Sequence, residues 1–185
     1  MNKENIKLRF LNFKMLIPAI IMFIVVIAVC IVIFINAFKE RTAMNAYSFG
    51  KLAEENGLAF YDCRMDEKYQ AYTMYYLLMS EALEQDEYGY TTTDLPYVIY
   101  FFEFTSEEKA NDYLEEAFDE DEIKTLGGIS YRYRTQGINY KEYTYSLDNG
   151  LYIHGQRINN TLVLSAVYDS NYTNKVKDFL SKTGY

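Results

Sequence analysis

The chain has 185 residues, of which 50% are hydrophobic and 17% aromatic, and it carries a formal net charge of −8. Two cysteines and one histidine exclude a disulfide framework and nearly exclude a histidine metal cluster or a nucleophilic triad. Residues 1–41 carry six basic and two acidic groups, whereas residues 42–185 carry 12 and 24, and this second part, at −12, repels nucleic acid and anionic lipid.

A basic tail over residues 1–14 precedes an apolar run over residues 15–38. At 1.5 Å per residue the run forms about 36 Å of helix, which exceeds the roughly 30 Å of a bilayer's hydrocarbon core. Four basic residues precede the run and two follow it, a bias that predicts a cytoplasmic N-terminus. We therefore expect a single-pass protein of the cell membrane whose C-terminal domain is extracytoplasmic.

Cys30 lies within the apolar run and provides an alternative to a permanent anchor. A lipoprotein signal peptide would attach lipid to this cysteine and then be removed. Val29 is not the small residue that usually precedes such a cysteine, and the run continues for eight more residues. These features favour an uncut anchor in which Cys30 is a small apolar side chain. Cys63 then has no intramolecular partner, and it is either buried or paired with another chain.

The segments that follow predict a helix, a strand and a second helix. Residues 39–57 predict a juxtamembrane helix that continues from the membrane span and ends at Asn56 and Gly57. Residues 58–62 predict a short strand, and residues 86–96 a loop. Between them, three- and four-residue spacing of apolar side chains predicts a buried helix over residues 67–84, with a stripe formed by Tyr69, Tyr72, Tyr76, Met79 and Leu83.

A central strand and an amphipathic helix come next. Residues 97–104 are almost continuously apolar, which predicts a strand covered on both faces. Thr105 and Glu108 predict a capping box at the start of a helix whose apolar spacing extends to residue 118. The acidic run over residues 119–122 then predicts a solvated end of this helix, where carboxylates oppose the helix dipole. The run lacks the spacing of an EF-hand loop, so a specific calcium site is not expected. The alternative interpretation of the run is weak, nonspecific binding of divalent cations.

The alternation that begins at Ile129 predicts a strand with Tyr131 and Tyr133 facing the core, and residues 140–168 predict an antiparallel meander of three strands. Asn159 and Asn160 suit the two positive-φ positions of a type I′ turn. For the preceding turn, a two-residue loop and a three-residue loop over residues 148–150 give opposite registers. The three-residue loop is favoured because it adds three apolar side chains to a core face that already carries five others. These eight residues are Tyr143, Tyr145, Leu147, Leu151, Ile153, Leu162, Leu164 and Ala166.

Residues 171–185 predict a final amphipathic helix with Tyr172, Val176, Phe179 and Leu180 on its buried side. Helices and strands are thus segregated along residues 58–185, which is typical of an α+β domain. We expect an antiparallel sheet of about four to five strands with helices packed mainly on one face, preceded by one N-terminal transmembrane helix.

Four segments carry a resemblance to a known type of protein: "SFGKLAEENGLAFYD", "FFEFTSEEKANDYLEEA", "RINNTLVLSAVY" and "KVKDFLSKTGY". Together they resemble small, uncharacterised extracytoplasmic proteins of low-GC Gram-positive bacteria, which are lipid-anchored or single-span. The resemblance implies a place in the cell envelope, and it carries no activity to particular residues. A transmembrane helix in place of a lipid-attachment site departs from the lipid-anchored members.

Two classes of function remain for such a chain, and the first is a non-enzymatic binding module, without cofactor or metal, for an envelope protein or a small ligand. We expect its interaction surface on the non-core face of the meander and on the acidic run. The residues are Thr144, Tyr152, His154, Gln156, Ser165, Val167, Asp119, Glu120, Asp121 and Glu122.

The second class is a carboxylate-dependent envelope hydrolase. Its candidate residues near strand ends are Glu103, Glu142 and Asp148. It requires two carboxylates about 5 to 10 Å apart beside a cleft. We favour the first class, and we do not expect an enzyme.

Overall fold

The computed structural model describes the backbone of residues 3–63, 71–79 and 95–185, and the side chains of residues 17–35, 38–58 and 95–185. The chain divides into two compact units, Met1–Lys39 and Glu40–Tyr185. The predicted loop over residues 86–96 lies almost entirely outside the described residues.

The first unit is a single long helix, α1, which runs from Lys3 to Ala37. Its segment Ile17–Ile35 is long and apolar enough to cross a membrane, and none of that segment is buried. Exposed apolar side chains suit a helix that meets lipid rather than a protein core. The predicted apolar N-terminal helix is therefore confirmed as a candidate span.

In the second unit, the described residues form four helices and seven strands. The helices are α2 (Ala46–Glu55), α3 (Glu107–Ala117), α4 (Glu120–Leu126) and α5 (Thr173–Thr183), and a short 3-10 turn, Ser170–Tyr172, precedes α5. The strands are β1 (Leu58–Cys63), β2 (Ala71–Met79), β3 (Tyr97–Phe104), β4 (Ile129–Gln136), β5 (Tyr140–Leu147), β6 (Tyr152–Ile158) and β7 (Thr161–Val167).

All seven strands form one antiparallel sheet in the order β1-β2-β3-β7-β6-β5-β4. Strand β3 is central, as its continuous apolar sequence predicts, and five of its eight residues are fully or almost fully buried. The α+β class with an antiparallel sheet is confirmed. Strands β3 to β7 match the predicted size of the sheet, and β1 and β2 extend it to seven strands.

The predicted helix over residues 67–84 is wrong, because residues 71–79 form strand β2 between β1 and β3. Nearly every position of this segment is apolar, so a helical stripe fits its pattern as easily as alternation does. Its tyrosines also favour strands. Pairing of Tyr76 with Tyr61 on one side and with Tyr100 on the other decides the conformation.

Helices cover both faces of the sheet, and not mainly one as the sequence predicts. On one side, here called the α2/α5 face, the buried core contains Phe49, Ala53, Leu58, Tyr97, Ile99, Phe101, Tyr140, Tyr152, Ile158, Val163, Val167, Val176, Phe179, Leu180 and Tyr185. On the other side, the α3/α4 face, it contains Phe102, Phe104, Ala110, Leu114, Phe118, Ile123, Tyr143, Tyr145, Leu147 and Leu162. The two cores are separated by the sheet.

Helix α2 belongs to the α2/α5 face, where Phe49 is fully buried against the rings of Phe101 and Phe179. Residues 39–45 are not helical, so the predicted helix over residues 39–57 does not continue from α1. Asn45 caps the N-terminus of α2 by accepting a hydrogen bond from the Ser48 amide. The predicted C-terminus is confirmed, with Asn56 as the cap and Gly57 following it at a φ of 70°.

The caps of α3 and α4 change the interpretation of the acidic run. Ser106, and not Thr105, caps α3 by accepting from the Lys109 amide at 3.2 Å. Asp119 caps a separate helix, α4, by accepting from the amides of Asp121 and Glu122. The acidic residues therefore lie at the N-terminus of a helix, where carboxylates stabilise the dipole rather than oppose it.

The meander over residues 140–168 follows the predicted register. Arg157 pairs with Leu162 across the β6–β7 turn, although of its two asparagines only Asn159 has a positive φ. The β5–β6 turn has the three-residue loop, with Gly150 at a φ of 88°. This register buries Tyr143, Tyr145 and Leu147 on the α3/α4 face, as the hydrophobic pattern requires.

Strand β4 differs from its prediction. It is an edge strand whose residues 130–134 are all exposed, and Tyr131 and Tyr133 are 54% and 42% exposed. An irregularity between Ile129 and Tyr131 shifts the register, so Arg132, and not Tyr131, pairs with the buried Tyr145. The bulge exchanges the faces of the strand after Ile129, which alone packs against the core.

Candidate functional site

The residues predicted to form an interaction surface on the meander are buried. The six residues chosen there lie on the α2/α5 face and are at most 8% exposed: Thr144, Tyr152, His154, Gln156, Ser165 and Val167. Helices α2 and α5 come from distant parts of the chain and cover this face. The expectation of an exposed patch is therefore wrong for these residues.

Four of these residues form a buried polar row within the sheet: Thr144, His154, Ser165 and Gln156. Thr144, His154 and Ser165 are direct neighbours across β5, β6 and β7. The Thr144 hydroxyl lies 3.1 Å from Nδ1 of His154. Among the described residues, His154 Nε2, Gln156 Nε2 and Ser165 Oγ have no hydrogen-bond partner. Unpaired buried polar atoms destabilise a core, so this row is an unusual feature of the α2/α5 face.

The protonation of His154 follows from its environment. Burial lowers the pKa of its imidazole to about 4, and the positive charges of Arg41 and Lys177 act in the same direction. The ring is therefore neutral near pH 7. A neutral histidine in this position accepts or donates hydrogen bonds without the cost of a buried charge.

The segment that precedes α2 is fixed to strand β5 beside the polar row. Arg41 forms an ion pair with Glu142 at 3.1 Å, and its guanidinium lies 3.9 Å from the centre of the Tyr140 ring. Asn139 exchanges two hydrogen bonds with the Arg41 backbone. Arg41 is thus fixed against strand β5, and the Glu142 carboxylate is occupied by its ion pair with Arg41.

The three candidate catalytic carboxylates are far apart. Glu103 lies on β3 and Glu142 on β5, three strands away in the sheet. At roughly 4.8 Å per strand this is about 14 Å, which exceeds the 5 to 10 Å of a carboxylate pair. Asp148 lies in the exposed β5–β6 turn. The sheet therefore does not bring Glu103 and Glu142 together.

The acidic run is largely engaged in contacts within the domain. Glu120 forms ion pairs with Lys124 at 3.2 Å and with Arg132 at 2.6 Å, and Lys124 also contacts Asp121 at 3.4 Å. The hydrogen bond from Lys124, aided by Arg132, lowers the pKa of Glu120. Within the described ranges, no three histidine, cysteine or carboxylate side chains cluster as metal ligands. A cleft of about 420 Å³ beside α4 is lined by these same paired charges.

A second cleft, of about 350 Å³, lies on the α2/α5 face between helix α5 and the β1–β3 part of the sheet. Its apolar lining is formed by Leu58, Tyr97, Ile99, Val176 and Phe179, and its polar lining by Asn56, Lys175, Asp178 and Lys182. The apolar residues are each at most 4% exposed, so the surface that the cleft presents is formed mainly by its polar residues. We call this feature the α5 cleft.

The lysines of the α5 cleft are free of carboxylate partners within the described part of the chain. Lys182 donates to Asn56 Oδ1 at 2.8 Å, and Lys175 lies 5.9 Å from the centre of the Tyr97 ring. Helix α5 carries three lysines and one aspartate, Asp178, in a domain that is otherwise strongly acidic. The cleft is therefore a locally cationic position.

Sequence reasoning did not identify the α5 cleft. It assigned four residues to the buried side of the last helix: Val176, Phe179 and Leu180 are buried, and Tyr172, in the turn before α5, is partly buried against the same core. The signal that was available is the net charge of this helix, +2 in a part of the chain that carries −12. Charge alone does not show that the lysines flank a concave surface, because Leu58 and Tyr97 come from distant strands.

Comparisons with known proteins give one structural likeness. A crystal structure described as a GTP binding regulator (TM1622) from Thermotoga maritima, at 1.75 Å resolution, matches with a TM-score of 0.44 and 11% sequence identity. The match covers 76% of this chain and 85% of that chain. No protein-family model matches the sequence, and no curated protein matches it significantly. A likeness at this score carries no argument about activity.

Proposed function

We propose that this protein is a membrane-anchored binding module of the bacterial cell envelope, with its α+β domain on the extracytoplasmic side and no catalytic activity. The observation that carries the binding role is the α5 cleft, where Lys175 and Lys182 have no carboxylate partner within the described part of the chain. The resemblance noted in the sequence supports a place in the cell envelope.

Anchoring and orientation rest on the N-terminal helix and its flanks. Segment Ile17–Ile35 has a mean hydropathy of 3.3, typical of a membrane span. Four basic residues directly precede the span and two directly follow it, and residues 42–185 carry a net charge of −12. The anionic inner leaflet favours the basic tail, and an acidic domain is compatible with the opposite side.

The non-enzymatic role rests on the positions of the reactive side chains. The single histidine is buried and bonded to Thr144, and Glu142 is paired with Arg41. Glu103 lies three strands from Glu142. A general acid and base must both reach one reacting group, and these side chains do not converge on one cleft.

Topology is tested with single cysteines and a membrane-impermeant maleimide. Cys63 and Cys30 are first replaced by serine, and cysteine is then introduced at Tyr47, which is 80% exposed on α2, or at Asn5 in the basic tail. We expect labelling of Tyr47→Cys in intact cells and of Asn5→Cys only after lysis. The reverse pattern would refute the orientation, and release of the chain by alkaline carbonate would refute the anchor.

The binding role is tested by in-cell crosslinking of the tagged full chain followed by mass spectrometry. The comparison is with a variant in which Lys175 and Lys182 are both changed to glutamate, since these two positions flank the cleft. A change of Lys51, which is exposed on α2, to glutamate is the matched control. Captured molecules that are lost in the double variant and kept in the control support the proposal. Identical capture by all three proteins contradicts it.

A further inference from the structure

We infer that strand β4 is a docking edge, which adds an extended acidic segment of another protein to the sheet as a further strand. In that segment carboxylates, opposite Arg132 and Arg134, alternate with apolar side chains, beside Tyr131 and Tyr133. This edge is separate from the α5 cleft, and the inference goes beyond the binding role proposed for that cleft.

The outer edge of β4 is open in the described part of the chain. The strand is the last in the sheet order, so it pairs with β5 on one side only. Alternate residues of such a strand direct their amide and carbonyl groups away from the sheet, where another strand can bind them. Residues 130–134 are all exposed to solvent. The edge therefore offers a template for strand addition.

The features that usually protect an edge strand do not close this one. Charged side chains and a bulge commonly block the addition of another strand. The bulge of β4 lies at its start and leaves residues 131–136 in regular pairing with β5. The two arginines are held over their own sheet. Arg132 reaches Glu120 at 2.6 Å, and Arg134 donates from Nε to the Tyr145 hydroxyl at 2.8 Å.

The sides of the edge have room and apolar area for a partner. A cleft of about 420 Å³ beside α4 is lined by residues 129–132 of β4. Tyr131 and Tyr133 lie on the opposite face from the arginines and are 54% and 42% exposed. Tyrosine pairs well with β-branched or aromatic side chains of a neighbouring strand. An added strand thus gains backbone hydrogen bonds and buries the two rings.

The charges of β4 favour an acidic segment. The strand carries Arg132 and Arg134 and no carboxylate, in a part of the chain whose net charge is −12. Both arginines lie on the face of Tyr143 and Tyr145, and their side chains are 52% and 39% exposed. Each guanidinium has five donors, more than its contacts within the domain use. A carboxylate directly opposite such a side chain stabilises a strand pair.

A second copy of this chain is a poorer occupant of the edge. Directly opposed residues of two paired strands share a face. Antiparallel pairing of two β4 strands, centred on any of residues 132–134, therefore places arginine opposite arginine. Such like charges destabilise the pair, so the edge suits an acidic partner and not a homodimer.

The test is a proton NMR titration of the full chain, in nanodiscs of phosphatidylcholine, with the capped peptide Thr-Val-Glu-Val-Glu-Val-Thr. Empty nanodiscs are the baseline. We expect saturable binding with a dissociation constant on the order of 1 mM or tighter. A peptide with lysine in place of glutamate, and one N-methylated at its five central residues, should each bind at least tenfold more weakly. Equal binding of either control peptide, or no saturation below 10 mM, would overturn the inference.

Variants of the protein place the peptide on β4. Arg132→Gln should weaken binding of the glutamate peptide about two- to fivefold, and Arg132→Glu should abolish the preference for glutamate over lysine. Lys51→Gln, at an exposed position of α2, is the matched control and should change nothing. Unchanged affinity and preference in both Arg132 variants would refute the assignment to β4.

A cysteine at the edge tests the alternative occupant. Cys30 and Cys63 are first replaced by serine, and Tyr133→Cys is then introduced. We expect no disulfide-linked dimer of this variant in cells. A dimer formed through this position would assign the edge to a second copy and overturn the inference.

Discussion

The two faces of the sheet differ in the residues that they bury. The α3/α4 face is an apolar core with one buried cation, Arg157, which reaches Glu107 at 2.6 Å and whose Nε has no hydrogen-bond partner among the described residues, and at its edge Lys141 reaches Glu115 at 2.8 Å. The α2/α5 face buries a longer polar row, His154 with its neighbours, that is not fully hydrogen-bonded among the described residues. It also contains a cleft whose lysines have no carboxylate partner in the described part of the chain. Incomplete hydrogen bonding costs stability, so the α2/α5 face is the one on which we place the proposed binding role.

The largest expected effect concerns the α3/α4 core. Phe118 is 3% exposed, and its ring centre lies 5.6 Å from that of Tyr143 and 5.9 Å from that of Tyr145. Phe118→Ala should lower the free energy of unfolding by about 3 to 5 kcal/mol, because it leaves a cavity. Urea unfolding of the full chain in micelles, followed by circular dichroism, measures the loss. Below its unfolding transition the variant should keep the crosslinking pattern of the wild type, and a parallel loss of captured molecules would contradict the separation of the two faces.

The second prediction concerns pH and His154. Its folded pKa of about 4 is below the ordinary 6.5, so its contribution to stability is complete above pH 6.5 and decreases as pH falls towards 4. The total loss is about 3 kcal/mol for this shift. His154→Gln should remove this dependence. The measurement is the difference in unfolding free energy between wild type and variant from pH 7.5 to pH 4, and parallel curves would refute the buried neutral imidazole.

Gly155 links strand β6 to Phe118, and its replacement should have a smaller effect. A methyl group at Gly155 would overlap the edge of the Phe118 ring and lie 2.9 Å from Leu164. Gly155→Ala should destabilise the domain by about 1 to 3 kcal/mol through this overlap. Gly150→Asn is the comparison, because no atom lies within 4 Å of the added group and any cost there comes from the φ of 88° and not from overlap. Addition of Phe118→Leu to Gly155→Ala should recover part of the loss, and strict additivity would contradict the contact.

The smallest effect tests the new interpretation of the acidic run. Asp119→Ala removes the cap of α4 and should cost about 1 kcal/mol. Asp121→Ala, at a side chain 93% exposed, should cost less than about 0.5 kcal/mol. Both values come from thermal or urea unfolding of the full chain. Equal effects at the two positions would favour the original interpretation, a solvated helix end without a capping role.

The sequence predicts those parts of the fold in which local pattern and pairing agree. The three-residue turn at residues 148–150 and the pairing of Arg157 with Leu162 follow from hydrophobic alternation and turn chemistry. Strand β2 does not follow, because an almost fully apolar segment has no diagnostic period and its pairing with β1 and β3 is non-local.

The candidate site was predictable only in part, for a related reason. The α2/α5 face of the meander alternates polar residues such as His154 with apolar ones such as Val163, a mixture that resembles a solvated sheet face. Its burial depends on α2 and α5, which are more than 100 residues apart in the chain. The charge of α5 is visible in the sequence, but the cleft beside it is a product of that distant packing.

The most direct test of the account compares in-cell crosslinking of the full chain with two charge-changed variants, one on each face of the sheet. In the first, Lys175 and Lys182 at the α5 cleft are both changed to glutamate, and in the second, Lys124 on α4 is changed to glutamate. We predict that the first variant loses captured molecules that the second keeps. Loss confined to the Lys124 variant, or no loss in either, would contradict the assignment of the binding role to the α2/α5 face.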